Sequence, residues 1–91
     1  METRKEGITV EFFGPFREYG KNYQLDLEEP VTFEELISRL ETRLGPSFGE
    51  RARRRNTTYI LNSRIVEAEK LGSTSVEPGD RVAFALLIGG G

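Results

Sequence analysis

The sequence contains no cysteine and no histidine. Lacking cysteine, it has neither a disulfide framework nor a thiolate metal site. Without histidine it also lacks the commonest general base, and without either residue the strongest side-chain nucleophile is missing too. Serine, carboxylates, lysine and tyrosine remain, but no nucleophile–base–orienter set is visible among them, which argues against an autonomous enzyme. No apolar run approaches the roughly 20 residues of a membrane span, and Met1 to Glu6 lack the apolar stretch of a secretory leader, so the expected address is the cytoplasm. Strong charge of one sign is missing as well: 15 acids against 13 bases give a net charge of −2, with no global pull toward nucleic acid or anionic lipid.

What is present reads as one domain over residues 1–91, with a frayed start at 1–6 and a flexible tail at 88–91. A chain of this length buries roughly 60–65% of its unfolded surface, enough for one modest core. Ile8-Thr9-Val10-Glu11-Phe12 alternates apolar and polar, the period of a half-buried strand, and Gly14-Pro15 ends it. After a turn at Gly20–Asn22, Tyr23-Gln24-Leu25-Asp26-Leu27 alternates again and is expected to return antiparallel.

The clearest element follows. Thr32 and Glu35 fit a capping box, and Phe33, Leu36, Ile37, Leu40 and Leu44 form one helical stripe that Gly45-Pro46 closes. Residues 47–56, with few apolar anchors and four arginines (Arg51, Arg53, Arg54 and Arg55), are expected to form a surface loop that is solvated or partner-facing. The cluster lacks interleaved aromatics for base stacking, which argues against nucleic acid.

Thr58–Leu61 is a short strand, Asn62-Ser63-Arg64 a turn, and Ile65-Val66 the start of a brief partner strand, with Leu71 a later core contact. Pro78-Gly79-Asp80 is turn chemistry. The nearly continuous apolar run Arg81–Ile88 has the composition of a strand at the centre of a sheet. A long helix must bury its stripe against a sheet face, and a central last strand beside the first lies parallel to it through a right-handed crossover. The fold class is therefore α+β, a ubiquitin-like β-grasp: a mixed sheet of four to five strands with one main helix across one face. Val82, Phe84 and Leu86 then meet Ile8, Val10 and Phe12 beneath the helix. Ala83, Ala85 and Leu87 face the other way beside Phe13, an apolar patch of the kind that marks an interaction surface.

The sequence ends Ile88-Gly89-Gly90-Gly91. Three residues without Cβ atoms do not pack; they reach about 10 Å when extended and can thread a slot too narrow for any side chain. The terminal α-carboxyl group, with a reference pKa of about 3.3–3.7, is ionised at neutral pH. As a carboxylate it is a fair nucleophile toward the α-phosphate of ATP and a poor acyl electrophile; adenylation reverses that character. Ordering such a tail in a partner's channel costs roughly 1–2 kcal/mol per residue, which contacts next to the tail must offset.

Together, Ile8-Thr9-Val10-Glu11-Phe12-Phe13-Gly14 with Arg17-Glu18, Thr32-Phe33-Glu34-Glu35-Leu36, Leu61-Asn62, Pro78-Gly79-Asp80-Arg81-Val82 and the final Gly90-Gly91 resemble the MoaD/ThiS-type sulfur carriers over about residues 8–91. The long segment between helix and strand looks more like the small subunit of molybdopterin synthase than the shorter thiamine-type carriers. The resemblance implies a non-enzymatic carrier that binds no cofactor or metal itself. Gly91 is the group that a ubiquitin-activating-type adenylating enzyme converts to a thiocarboxylate with its own ATP and metal. Ile88, Gly89 and Gly90 form the inserting tail, and a sulfur-accepting synthase, the molybdopterin synthase large subunit first, is the recipient in molybdenum cofactor biosynthesis. The tail departs from the molybdopterin-type pattern in having no proline before the glycines and a third glycine, Gly89. Two other readings stand beside it: a ubiquitin-like modifier conjugated through Gly91, and a β-grasp interaction domain with an inert tail.

Overall fold

The computed structural model describes residues 7–86. The frayed start and the tail expected at 88–91 lie outside those residues, as does Leu87.

Strand β1 (Gly7–Phe12) alternates as its sequence does, with Ile8, Val10 and Phe12 buried and Gly7, Thr9 and Glu11 partly exposed. It pairs antiparallel with β2 (Asn22–Asp26). Between them, Gly14–Tyr19 forms a 3₁₀ turn that drives Phe16 into the core. A two-residue strand β3 (Val31–Thr32) leads into helix α1 (Phe33–Leu44). Thr32 Oγ1 accepts from Glu35 N at 3.0 Å. Only half of the expected capping box forms: the Glu35 carboxylate accepts from Arg39 Nε at 3.3 Å instead, and the Thr32 backbone pairs with Ser75 of a second short strand.

Residues 47–56 are not the expected loop. Helix α2 (Pro46–Ala52) occupies most of the stretch. Gly45, at φ +109°, ends α1 in a backbone conformation closed to most side chains, and Pro46 then starts the next helix from its first turn, where its fixed φ is pre-organised and no N–H is needed. Phe48 and Ala52, four residues apart, face inward and are fully buried. Gly49 allows close approach to α1: a Cβ there would lie 2.3 Å from the Glu41 carboxyl carbon.

Strand β4 (Thr57–Leu61) turns through Asn62 and Ser63, both at positive φ, into β5 (Arg64–Val66). A 3₁₀ turn at Ala68–Ser73 brings half-buried Leu71 against the core. Strand β6 (Ser75–Val76) pairs with β3 as a separate two-stranded ladder. Strand β7 (Arg81–Leu86) closes the described fold at the centre of the main sheet, whose order is β2-β1-β7-β4-β5. As expected, β7 runs parallel to β1; the register sets Val82 beside Val10 and Phe84 beside Phe12, while Leu86 lies opposite Thr57 of β4. The mixed five-stranded sheet under α1 is the β-grasp.

Phe12, Phe16, Phe33, Phe48 and Phe84 are all buried. They meet mostly edge-on, as in Phe48–Phe84 (5.3 Å between centroids, 81° between planes) and Phe33–Phe84 (5.9 Å, 65°). This arrangement satisfies the ring quadrupoles while filling the layer between helix and sheet.

Candidate functional site: the open sheet face and the end of the central strand

The face of the sheet away from α1 follows from the pairing register, because directly opposed residues share a face. Glu11 opposes Ala83, and Ala83 opposes Ile60. Ile60 opposes Ile65, and Thr58 opposes Ala85. Phe13 continues the β1 row, its N–H donating to the Phe84 carbonyl at 3.0 Å. The face is polar at one end and apolar across the middle. At the polar end Thr9 Oγ1 donates to Gln24 Oε1 at 3.1 Å, and Arg81 Nε stands 3.9 Å from Glu11 Oε2. Phe13 is 42% exposed and Ile65 74%, the two large apolar side chains most open to solvent among the described residues.

The structure therefore brings together Phe13 and Ala85 of the sequence-derived patch. Ala83 occupies the same row but is only 4% exposed, a floor under its neighbours rather than contact area. Leu87, Ile88, Gly89, Gly90 and Gly91 lie outside the described residues. Ile60 and Ile65, which widen the patch to the β5 edge, were missed by sequence reasoning. Alternation alone would have turned Ile60 outward once Tyr59 was taken as core, and the turn chemistry of Asn62-Ser63 then sets Ile65 across from it.

The base of this face is fixed by one side chain. Asn62 Oδ1 accepts from Arg81 N at 2.9 Å, and Asn62 Nδ2 donates to Asp80 Oδ1 at 3.1 Å. Asp80 Oδ2 in turn accepts from Glu77 N at 2.8 Å. The β4–β5 hairpin is thereby joined to the turn that launches β7. At the other end of β7, Arg17 Nε donates to the Phe12 carbonyl at 2.9 Å, closing the 3₁₀ turn onto β1.

The four arginines do not form one patch. Arg51 reaches Glu18 at 3.4 Å and stands 6.0 Å from the centroid of the Phe16 ring. Arg53 pairs with Glu41 at 3.0 Å and donates to Ser38 Oγ. Both serve the packing of α2, whereas Arg54 and Arg55 are exposed in the turn after it. Beneath them Tyr59 donates to the Ala52 carbonyl at 2.6 Å, and its burial raises the phenol above its usual range, opposed by the nearby Arg53 charge. Among the described residues no helix is long and apolar enough to cross a membrane.

The model of the ThiS family matches residues 10–91. The chain belongs to the ThiS family. No curated protein sequence matches it. A thiamine biosynthesis protein (ThiS) from Geobacter metallireducens is similar at 29% identity, with a TM-score of 0.60 over 93% of this chain and 99% of that one. Urm1 from Trypanosoma brucei shares the fold at 23% identity, with a TM-score of 0.71 over 99% and 100% of the two chains. A putative molybdopterin converting factor subunit 1 from Pyrococcus furiosus does so at 17% identity, with a TM-score of 0.68 over 91% and 99%. The resemblance to MoaD/ThiS-type proteins and the ubiquitin-like β-grasp class both hold. Members of the family are ubiquitin-fold sulfur carriers, small carrier proteins that work with adenylating enzymes and sulfur-accepting synthases.

Proposed function

We propose that this ThiS-family protein carries sulfur on its last residue, Gly91, whose carboxylate a separate ubiquitin-activating-type enzyme adenylates and then converts to a thiocarboxylate. One observation carries the reading: the family match runs through the final glycines, and the central strand β7 leads the chain toward them. In the first step a carboxylate oxygen attacks the α-phosphorus of ATP and pyrophosphate leaves. In the second, a sulfide sulfur attacks the carbonyl carbon and AMP departs with the electrons of the broken C–O bond. ATP and its metal ion belong to the activating enzyme, and the carrier contributes the carboxylate and the reach of Ile88, Gly89 and Gly90. The proposed compartment is the cytoplasm, where ATP for the activation is available.

Phe13, Ala85 and Leu87, with Ala83 as floor and Ile60 and Ile65 as an extension, form the docking face, and the exposed Arg54 and Arg55 are candidate rim contacts. An apolar patch beside the tail offsets the entropy of ordering four to five residues in a partner's channel, about 1–2 kcal/mol each. The long segment between α1 and β4 favours the large subunit of molybdopterin synthase as recipient, while the ThiS family match and the 29% identical neighbour favour thiazole synthesis.

The test is incubation with ATP, the adenylating enzyme and a sulfur donor, followed by mass measurement of the C-terminal peptide. The expected product is heavier by the difference between sulfur and oxygen, and it loses that sulfur when one of the two synthases and its substrate are added. Finding the whole chain attached to lysines of other proteins would favour the modifier reading. Unchanged activity after deletion of Gly90-Gly91 would overturn both.

A further inference from the structure

The two edges of the main sheet are not alike. Strand β2 closes one side and β5 the other, so each leaves a row of main-chain groups without a strand partner. On β2 the exposed side chains are Asn22, Gln24 and Asp26, all polar. On β5, Ile65 is 74% exposed, although folded proteins usually shield an apolar edge.

The register shows how β5 is presented. Leu61 and Arg64 close the two-residue turn at Asn62-Ser63, and Ile60 opposes Ile65. The closing pair of such a hairpin exchanges hydrogen bonds, and the next pair turns its N–H and C=O groups away from its partner. The Ile65 N–H and C=O therefore point outward from the sheet edge. The Ile65 side chain continues the open-face row of Ala83 and Ile60. Arg64 lies on the other side of the sheet, in the row of Leu61 and buried Val82.

That side has a second wall. The 3₁₀ turn at Ala68–Ser73 follows β5 and packs against α1, and its Lys70 lines a depression with Arg64, Val66, Glu67 and Thr74. Hydrogen bonds pin the wall in place. The Lys70 carbonyl accepts from Thr74 Oγ1 at 2.7 Å and from Ser73 Oγ at 3.3 Å, and the Lys70 N–H donates to the Glu67 carbonyl at 2.9 Å. Arg64 and Lys70 are exposed, and neither has an ion-pair partner among the described residues. Two cations against the single carboxylate of Glu67 leave the depression positive.

We propose that β5 accepts an extended acidic segment of a partner protein, which adds a further strand to the sheet. Main-chain groups of the segment bond the outward N–H and C=O of Ile65. Its side chains alternate: apolar ones cover Ile65 on the open face, and carboxylates meet Arg64 and Lys70 across the usual strand spacing of about 4.8 Å. A second copy paired through its own β5 is the poorer occupant, because two-fold pairing about Ile65 gathers Arg64 and Lys70 of both copies along one seam. Docking at this edge needs no activated Gly91, so the inference goes beyond the carrier chemistry and stands apart from it.

The probe is a fluorescein-labelled ten-residue peptide of alternating valine and glutamate, titrated with the full-length protein and read by anisotropy. Saturable binding is expected. The double variant Arg64→Glu with Lys70→Glu should weaken it at least about tenfold, and Glu67→Gln should tighten it about threefold. The gain expected of Glu67→Gln keeps the test decisive should the double variant lose stability. In a strand only every second N–H faces a given neighbour. Of two further peptides, methylated on the valine nitrogens or on the glutamate nitrogens, only one should therefore lose binding. No binding of the probe, equal binding of a valine–lysine peptide, or equal losses in the two methylated peptides overturns the proposal. Self-association of the protein alone that the double variant abolishes assigns the edge to a second copy, and overturns it as well.

Discussion

Phe48 of α2 meets Phe84 of β7 edge-on, 5.3 Å between ring centroids, and so ties the second helix to the central strand two residues before that strand ends. Phe48 also touches Phe12, Phe16 and Tyr19. It is fully buried. Replacing it with alanine removes the hub of the aromatic layer, and Phe48→Ala should cost about 3–5 kcal/mol, a large fraction of the roughly 5–15 kcal/mol that holds a domain folded. Urea denaturation measures this as a fall in the midpoint at nearly constant slope. A loss under about 1 kcal/mol would mean that α2 is not integral to the core.

At the start of α1, Thr32 Oγ1 satisfies the Glu35 N–H at 3.0 Å, and the Glu35 carboxylate is engaged with Arg39. Because the reciprocal half of the box is absent, the cap rests on the threonine hydroxyl alone. Thr32→Ala should therefore destabilise by about 0.5–2 kcal/mol. Glu35→Ala should cost far less, since an exposed i,i+4 ion pair contributes only about 0.3–0.5 kcal/mol. Thermal or urea unfolding of the two variants side by side decides it; equal losses would indicate that the full box forms in solution.

These two residues illustrate what the sequence made legible. Elements with several turns or pleats of regular period announce themselves: β1 and β7 by alternation or an apolar run, α1 by its stripe. Their parallel pairing follows from the crossover they require. Helix α2 escaped because Gly45-Pro46 both ends one helix and begins the next, and because four arginines concealed the i,i+4 pair Phe48 and Ala52. Strands β3 and β6 are two residues each, too short for any period to register. On the open face, Phe13 and Ala85 follow from alternation within one strand. Ile60 follows from the same alternation within β4, whereas Ile65 depends on the register across a turn, which the positive φ values at Asn62 and Ser63 define.

Phe13 and Ile65 are exposed apolar anchors on opposite flanks of the same face. If that face docks partners, charge there should harm binding and spare folding. Phe13→Asp and Ile65→Asp should each weaken binding to the adenylating enzyme by about 2 kcal/mol or more, roughly 30-fold in Kd. Stability should change by only about 0.5 kcal/mol, as at other surface sites. Titration calorimetry and denaturation of the same variants separate the effects, and wild-type affinity in both variants would remove this face from the docking surface.

Tyr59 gives the fold a dependence on alkaline pH whose sign can be worked out. Its phenol donates to the Ala52 carbonyl at 2.6 Å, and burial raises its pKa above the usual 10.0, with Arg53 pulling the other way. In the unfolded chain the phenol ionises near its ordinary value; in the folded chain it stays neutral to higher pH. Between those two points the unfolded state binds fewer protons than the folded state, so stability falls as pH rises. This contribution is fully present below pH 10 and is lost as pH passes through the raised pKa. Tyr59→Phe should cost about 1–3 kcal/mol at neutral pH by stranding the Ala52 carbonyl. The stability gap between wild type and Tyr59→Phe should then narrow as pH climbs above 10. Denaturation midpoints of both proteins from pH 7 to 11 measure it, and a gap that widens with pH would mean that the folded state favours the phenolate.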